Sequence, residues 1–259
     1  MLTILSASSS FLSASNPNIE VHHISTSPLL PKNYPNVRPL AVPGPSGQLP
    51  YASNIFGSIH AFSLPVLLPA SSIPILLKEC HRTLTSAHPN TSLVVSPTTL
   101  SFPLQTKAGC LHLTILDPSP IPSTLGPLLR AWLDTHLIVN LERRFRCINP
   151  ARLFPLWLAD AGLRAEGSTI ANVRFLASVS HDPDGFSAIE GKVQERDVSS
   201  AEYTKQELKS TVGRMLWKEM WGQFVEGDKW WWEDLELIEE CEKIGTCWEY
   251  AVIEAVKES

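Results

Sequence analysis

Several residue clusters in this chain are of types that can do chemistry. His22 and His23 are neighbours in a strand-like segment and suggest a metal or a general base. Adjacent strand residues point to opposite faces, so the pair cannot chelate together, and ordinary strand histidines are expected. Glu79, Cys80, His81 and Arg82 crowd one helix end. A Cys–His nucleophile needs both side chains within hydrogen-bond reach, which sequence neighbours on a helix seldom achieve. Asp117 follows a strand, where open α/β sheets place ligands, although Asp-Pro is also an ordinary turn. Arg143, Arg144 and Arg146 form a basic run suited to a phosphate or a partner; a solvated face with local ion pairing is the expectation. Trp230, Trp231 and Trp232 cannot all face one core, so at least one ring is expected at the surface or under another segment. That patch suits a lid, a protein-partner surface or plain packing, and packing is preferred.

The elements that must position these residues read as alternating strands and helices. Met1–Leu5 reads as a short buried strand, followed by a small-residue loop, SASSS. Ile19–Ser25 is a second strand and Val37–Val42 a third, confined to an edge by Pro39. Ile55–Leu64 gives a fourth strand, and Ser71–Leu84 a helix with Ser71 or Ser72 as N-cap. Residues 85–107, rich in Ser, Thr and Pro, read as an inserted loop or small hairpin. Leu111–Leu116 is a strand, and Leu125–Phe145 carries apolar residues at helical spacing. Pro150–Ala161 is a helix closed by Gly162, and Ile170–Ser180 a strand. A polar stretch from Asp182 leads to helices at Ala201–Phe224 and Trp232–Ile244, and Cys247–Val256 alternates as a last strand. This is the pattern of one α/β domain over 1–259, with 85–107 as a loop insertion and 182–244 as a polar loop plus helical insertion.

Composition narrows the function. A hydrophobic share of 44% with 18% charged residues is globular, and a net charge of −5 gives no reason to expect nucleic acid or an anionic membrane as partner. Of 26 acidic residues only Glu20, Glu79 and Asp117 precede residue 130, and all eight tryptophans follow it. The five cysteines are odd in number and widely spread, without metal-ligand spacing, so free thiols are expected and no metal site. With no long apolar run and no basic leader, an intracellular location, cytoplasmic or nuclear, is expected.

Particular stretches carry a resemblance. QLPYASNIFGSIHA is similar to the segment leading into the fourth strand of the class I S-adenosylmethionine-dependent methyltransferases. KECHRTL resembles a helix end of that family, and AGCLHLTILDP its fifth strand. The runs from Leu125 to Leu163 and from Glu219 to Glu258 are similar to the C-terminal parts of fungal, type 11-like members. The resemblance implies a Rossmann-like seven-stranded sheet, mostly parallel with an antiparallel last strand, helices on both faces and a helical insertion before that strand. It implies S-adenosylmethionine as cofactor and a small-molecule methyl acceptor. It names no catalytic residue, because methyl transfer rests mainly on orientation.

Set against the family's glycine-rich loop, Thr3 stands where an acid belongs, and Leu5, Ala7 and Ser9 stand where glycines belong. Ser25 takes the place of the acid that receives the ribose hydroxyls. A charge-assisted hydrogen bond is worth about 1.5–3 kcal/mol, so that loss alone weakens binding by about ten- to a hundred-fold. Two expectations follow: a methyltransferase with impaired cofactor binding, or a catalytically inactive scaffold or protein-interaction module on the same fold. The family's usual helices ahead of the first strand have no counterpart, as in a truncated chain or a divergent copy.

Overall fold

The computed structural model describes residues 1–3, 6–25, 27–42, 47–62, 64–87, 107–179 and 200–259. The elements are β1 (Leu2–Thr3), α1 (Ser6–Ser15), β2 (Val21–Ser25), β3 (Val37–Ala41), β4 (Ser58–His60), α2 (Leu64–Leu67), α3 (Ile73–Thr83) and β5 (Cys110–Leu116). There follow α4 (Pro127–Leu133), α5 (Val139–Arg143), α6 (Pro150–Asp160), β6 (Thr169–Leu176), α7 (Ser200–Trp221), α8 (Leu235–Ile244) and β7 (Cys247–Val256). The strand order is β3-β2-β1-β4-β5-β7-β6. The pairs β1–β2, β2–β3, β1–β4 and β4–β5 are parallel. β7 runs against β5, as the bonds Lys257 N to Gly109 O and Ile121 N to Cys247 O show, and against β6, as Ala165 N to Val256 O and Ala177 N to Thr246 O show. β3 lies at an edge, where Pro39 costs no second ladder of hydrogen bonds.

The chain divides into two compact units. The first comprises Met1–Ile115, Ala151–Ala171 and Ala251–Ser259; the second comprises Leu116–Pro150 and Asn172–Tyr250. In the first unit Leu2, Ile59 and Leu111 are in register across three strands, and all are fully buried. That apolar row fixes the alignment of the central strands, because a one-residue slip would turn it to the other face.

The loop expected at SASSS is instead the start of α1. Serine is a weak helix former, and what holds this helix is tertiary. The Asn36 side-chain amide donates to the carbonyls of Ser13, Asn16 and Ile19 at 3.2, 3.1 and 3.0 Å, while the Ser13 hydroxyl donates to Asn36 Oδ1. The bond to Ser13 satisfies a carbonyl that the helix end leaves open, and the other two tie down the chain that leaves it. The strand expected over Ile55–Leu64 shrinks to Ser58–His60, preceded by a single bridge from Phe56 to Leu84. α3 is preceded by a 3₁₀ turn at Ala70–Ser72, and the Ser72 side chain makes no capping bond, contrary to expectation. Positions 88–106 and 180–199, which hold most of the expected loop insertion and the polar stretch, lie outside the described residues.

In the second unit the expected helix Leu125–Phe145 is interrupted by a π-helical stretch at Asp134–Ile138. Its beginning is capped from a distance: Glu240 of α8 accepts the backbone N–H groups of Leu128 and Leu129, both at 2.9 Å. The helix expected from Trp232 is a 3₁₀ turn, Trp231–Glu233, followed by α8. Asp234 separates the two and caps α8 by accepting from Glu236 N and Leu237 N. Gly162 ends α6 with φ +69°, the left-handed conformation that favours glycine.

Candidate functional site at the ends of the parallel strands

In the first unit β1 has β2 on one side and β4 on the other, and the chain proceeds outward in both directions from it. Strand connections that diverge in this way leave a crevice at the carboxyl ends, where open α/β sheets bind ligands. The described residues at these ends are Thr3, Ser25, Ala41 and His60. Thr3 is in register with His23 on one side and His60 on the other. α1 begins three residues beyond Thr3. The first-turn N–H groups of any helix lack intrahelical acceptors and carry partial positive charge, so this edge can receive a carboxylate or other acceptor.

The residues matched to the cofactor loop fall as follows. Leu5 lies outside the described residues. Ala7 and Ser9 sit within α1 and not in a turn ahead of it, and Ser9 is fully buried. Ser25 is the last residue of β2, and its hydroxyl oxygen accepts the Ser27 N–H at 3.1 Å, leaving its own proton to donate. The carboxylates nearest in sequence are engaged elsewhere. Glu20, ahead of β2, takes Arg38 Nε at 2.7 Å, which holds its carboxyl below the usual range. Glu79 on α3 pairs with Arg82 through Nε and Nη2 at 2.8 and 2.7 Å and accepts Leu49 N–H at 3.0 Å. Arg82 in turn donates to the carbonyls of Tyr51 and Leu49. That fork anchors the segment before β4 and is structural.

His60 was not among the sequence candidates, and the structure puts it at the crevice. Its ring stacks on that of His112, with centroids 4.4 Å apart and planes 9° from parallel. Burial, then His112, then the chain's amino terminus push His60 down to about 4, so the imidazole is neutral near pH 7. It can donate one hydrogen bond and accept another without adding charge. Its place as the last residue of β4 was hidden in the sequence, where the fourth strand reads on to Leu64. Its registration against Thr3 and His112 joins segments far apart in sequence and has no local signature.

The remaining candidates resolve into packing. His22 meets Tyr51 and Phe56 edge to face, while the buried His23 accepts Leu29 N–H at Nδ1. Cys80 is fully buried, and burial, then Glu79, push its thiol up to about 12, so it is no nucleophile. Asp117, in the second unit, adds to the burial that raises the Cys147 thiol. Among the described residues no group of three or more His, Cys, Asp or Glu could hold a metal ion, and no helix is long and apolar enough to cross a membrane.

The second unit has a tryptophan core. Trp217 and Trp248 both donate to the Pro118 carbonyl, at 2.8 and 3.4 Å. Trp231 is buried between them, edge-on to Trp217 and stacked on Trp248. Trp230 and Trp232 are half-buried and stack on each other at 5.0 Å, with Lys218 Nζ 4.6 Å from the Trp230 ring centre. Arg144 and Arg146 lie over the Phe224 ring, and the carboxylate pairing expected for them is not found among the described residues.

No protein-family model matches the chain, and no curated protein matches it in sequence. Its structural neighbours include methyltransferases solved with S-adenosylmethionine or S-adenosylhomocysteine. Phosphoethanolamine N-methyltransferase 2 of Haemonchus contortus, solved with phosphomonomethylethanolamine and S-adenosylhomocysteine, is 12% identical with a TM-score of 0.49. The match spans 100% of this chain and 48% of that one. A geranyl diphosphate methyltransferase in complex with SAM is 9% identical with a TM-score of 0.49, over 99% of this chain and 77% of that one. Geranyl diphosphate C-methyltransferase of Streptomyces coelicolor A3(2), solved with Mg2+, geranyl diphosphate and S-adenosyl-L-homocysteine, is 11% identical with a TM-score of 0.46, over 99% and 71%.

Proposed function

We propose that this chain is a small-molecule-type S-adenosylmethionine-dependent methyltransferase whose hold on the cofactor is weakened at the ribose end. The observation that carries the proposal is Ser25, the last residue of β2, whose oxygen already accepts the Ser27 N–H. The resemblance calls for a carboxylate there, able to accept from both ribose hydroxyls. A serine hydroxyl already accepting a backbone bond offers one donor, one remaining acceptor and no charge.

The described residues fit the cofactor in part. The start of α1 would supply backbone donors, Ser25 a hydroxyl and His60 a neutral ring that adds no positive charge to the site. The cofactor, when bound, supplies the methyl group. The chain's part is to orient it and an acceptor, and to exclude water. On this proposal residues 1–259 make one methyltransferase-like domain, into which 85–107 and 182–244 are inserted.

Isothermal titration with S-adenosylmethionine and S-adenosylhomocysteine tests the reading. Ser25→Asp is expected to tighten binding by about ten- to a hundred-fold. Low-micromolar binding by the native chain, unimproved by Ser25→Asp, would overturn the weakened-site reading. Absence of binding by both forms at millimolar cofactor would leave the second reading, an inactive scaffold. The placement of the side-chain-bearing Ala7 and Ser9 inside α1 favours that second reading, and the Trp230–Trp232 region would then be its partner surface.

A further inference from the structure

α5 ends at Arg143, and the chain then turns through Phe145, which has φ +54° and is 77% exposed. The turn brings both flanking arginines to one ring: Arg144 Cζ is 5.3 Å and Arg146 Cζ 5.5 Å from the Phe224 centroid. Phe224 is itself buried, and its carbonyl receives Asn140 Nδ2 at 3.2 Å, so the platform is fixed. Arg143 is held apart by its own bond to Asn140 Oδ1. Nε and Nη1 of Arg146 are buried and make no hydrogen bond. Among the described residues no carboxylate lies within ion-pair distance of Arg144 or Arg146. Burial, and then the neighbouring Arg144, pull the Arg146 guanidinium below its ordinary value.

Two cations lie over one aromatic ring, one of them with donors that make no hydrogen bond, and an anion relieves that arrangement. A buried N–H without an acceptor is costly, and like charges held together repel. Guanidinium forks match phosphate oxygens in geometry and strength. A carboxylate would neutralise only one of the two charges, whereas a phosphate dianion answers both. We infer that Arg144 and Arg146, on the Phe224 platform, form a binding site for a phosphate dianion, free or as a monoester. The exposed Phe145 between them in sequence favours the monoester, whose organic part it can cover. The site lies wholly in the second unit and does not depend on the cofactor reading.

The test is isothermal titration of the full chain, without S-adenosylmethionine, using inorganic phosphate and phenyl phosphate. Sodium chloride and sodium acetate at matched ionic strength serve as controls. Saturable phosphate binding is expected, tighter for phenyl phosphate if the monoester is the ligand and equal if free phosphate is. Arg144→Gln, at an exposed position, should weaken binding about tenfold, and Arg146→Gln should abolish it. Should Arg146→Gln fail to fold, Arg144→Gln alone decides. Heats no larger than those of the controls, or phosphate binding unchanged in Arg144→Gln, would overturn the proposal.

Discussion

The imidazoles of His60 and His112 lie face to face, 4.4 Å between centroids, across the registered pair that joins β4 to β5. Glu254 Oε1 stands 3.7 Å from His112 Nδ1, and the amino terminus adds positive charge near His60. The folded protein holds His60 at about 4 against an ordinary 6.5, and burial lowers His112 as well. The unfolded chain therefore binds more protons than the folded one between these values, and stability falls as pH drops from about 6.5 towards 4. Urea midpoints should be lower at pH 5 than at pH 7, and His60→Gln should shrink the difference. The other histidines that burial lowers, His22, His23 and His112, keep it from vanishing. Midpoints that respond to pH identically in the native chain and His60→Gln would refute the account.

The three consecutive tryptophans should separate sharply on truncation. Trp231 is 1% exposed between Trp217 and Trp248, so Trp231→Ala should cost about 3–5 kcal/mol. Trp230, half-buried, loses its stack on Trp232, its contact with Lys218 and its packing beside Gly222, a cost of about 1 kcal/mol. Denaturant unfolding measures both, and equal losses would contradict the packing described.

Lys257 is a buried lysine with a structural task. Its Nζ donates to Asn54 Oδ1 at 2.8 Å and to the Leu84 carbonyl at 2.7 Å, joining the C-terminal segment to the end of α3. Lys257→Met keeps the apolar stem and removes both bonds. It should cost about 1–3 kcal/mol, seen as a lower thermal midpoint. A midpoint within error of the native one would mean that the carbonyl and amide find other donors.

Gly213 on α7 is required by the approach of Phe175, whose ring occupies the space that an added Cβ would take. Gly213→Ala should destabilise by about 1–3 kcal/mol through overpacking. Phe175→Leu in the same chain should recover part of that loss, because the clash is with the ring. A double variant no more stable than Gly213→Ala would place the strain elsewhere.

The sequence by itself determined the elements whose cause is local. Cys247–Val256 alternates and is a strand over those same residues, and Pro150 to Gly162 carries its own start and stop. Pro39 alone marked β3 as an edge, because it lacks the donor a second neighbour would need. Only the tertiary structure decided the rest. α1 is rich in serines and is held at its end by Asn36, more than twenty residues after Ser13, which takes up the Ser13 carbonyl and two beyond the helix. The helix from Leu125 is broken at Asp134, and Asp234 divides another into a 3₁₀ turn and an α-helix. The alignment of Thr3 with His60, and of His60 with His112, comes from pairing strands tens of residues apart. Register is a property of the assembled sheet. The apolar row of Leu2, Ile59 and Leu111 sets it through burial, and no window of sequence contains all three.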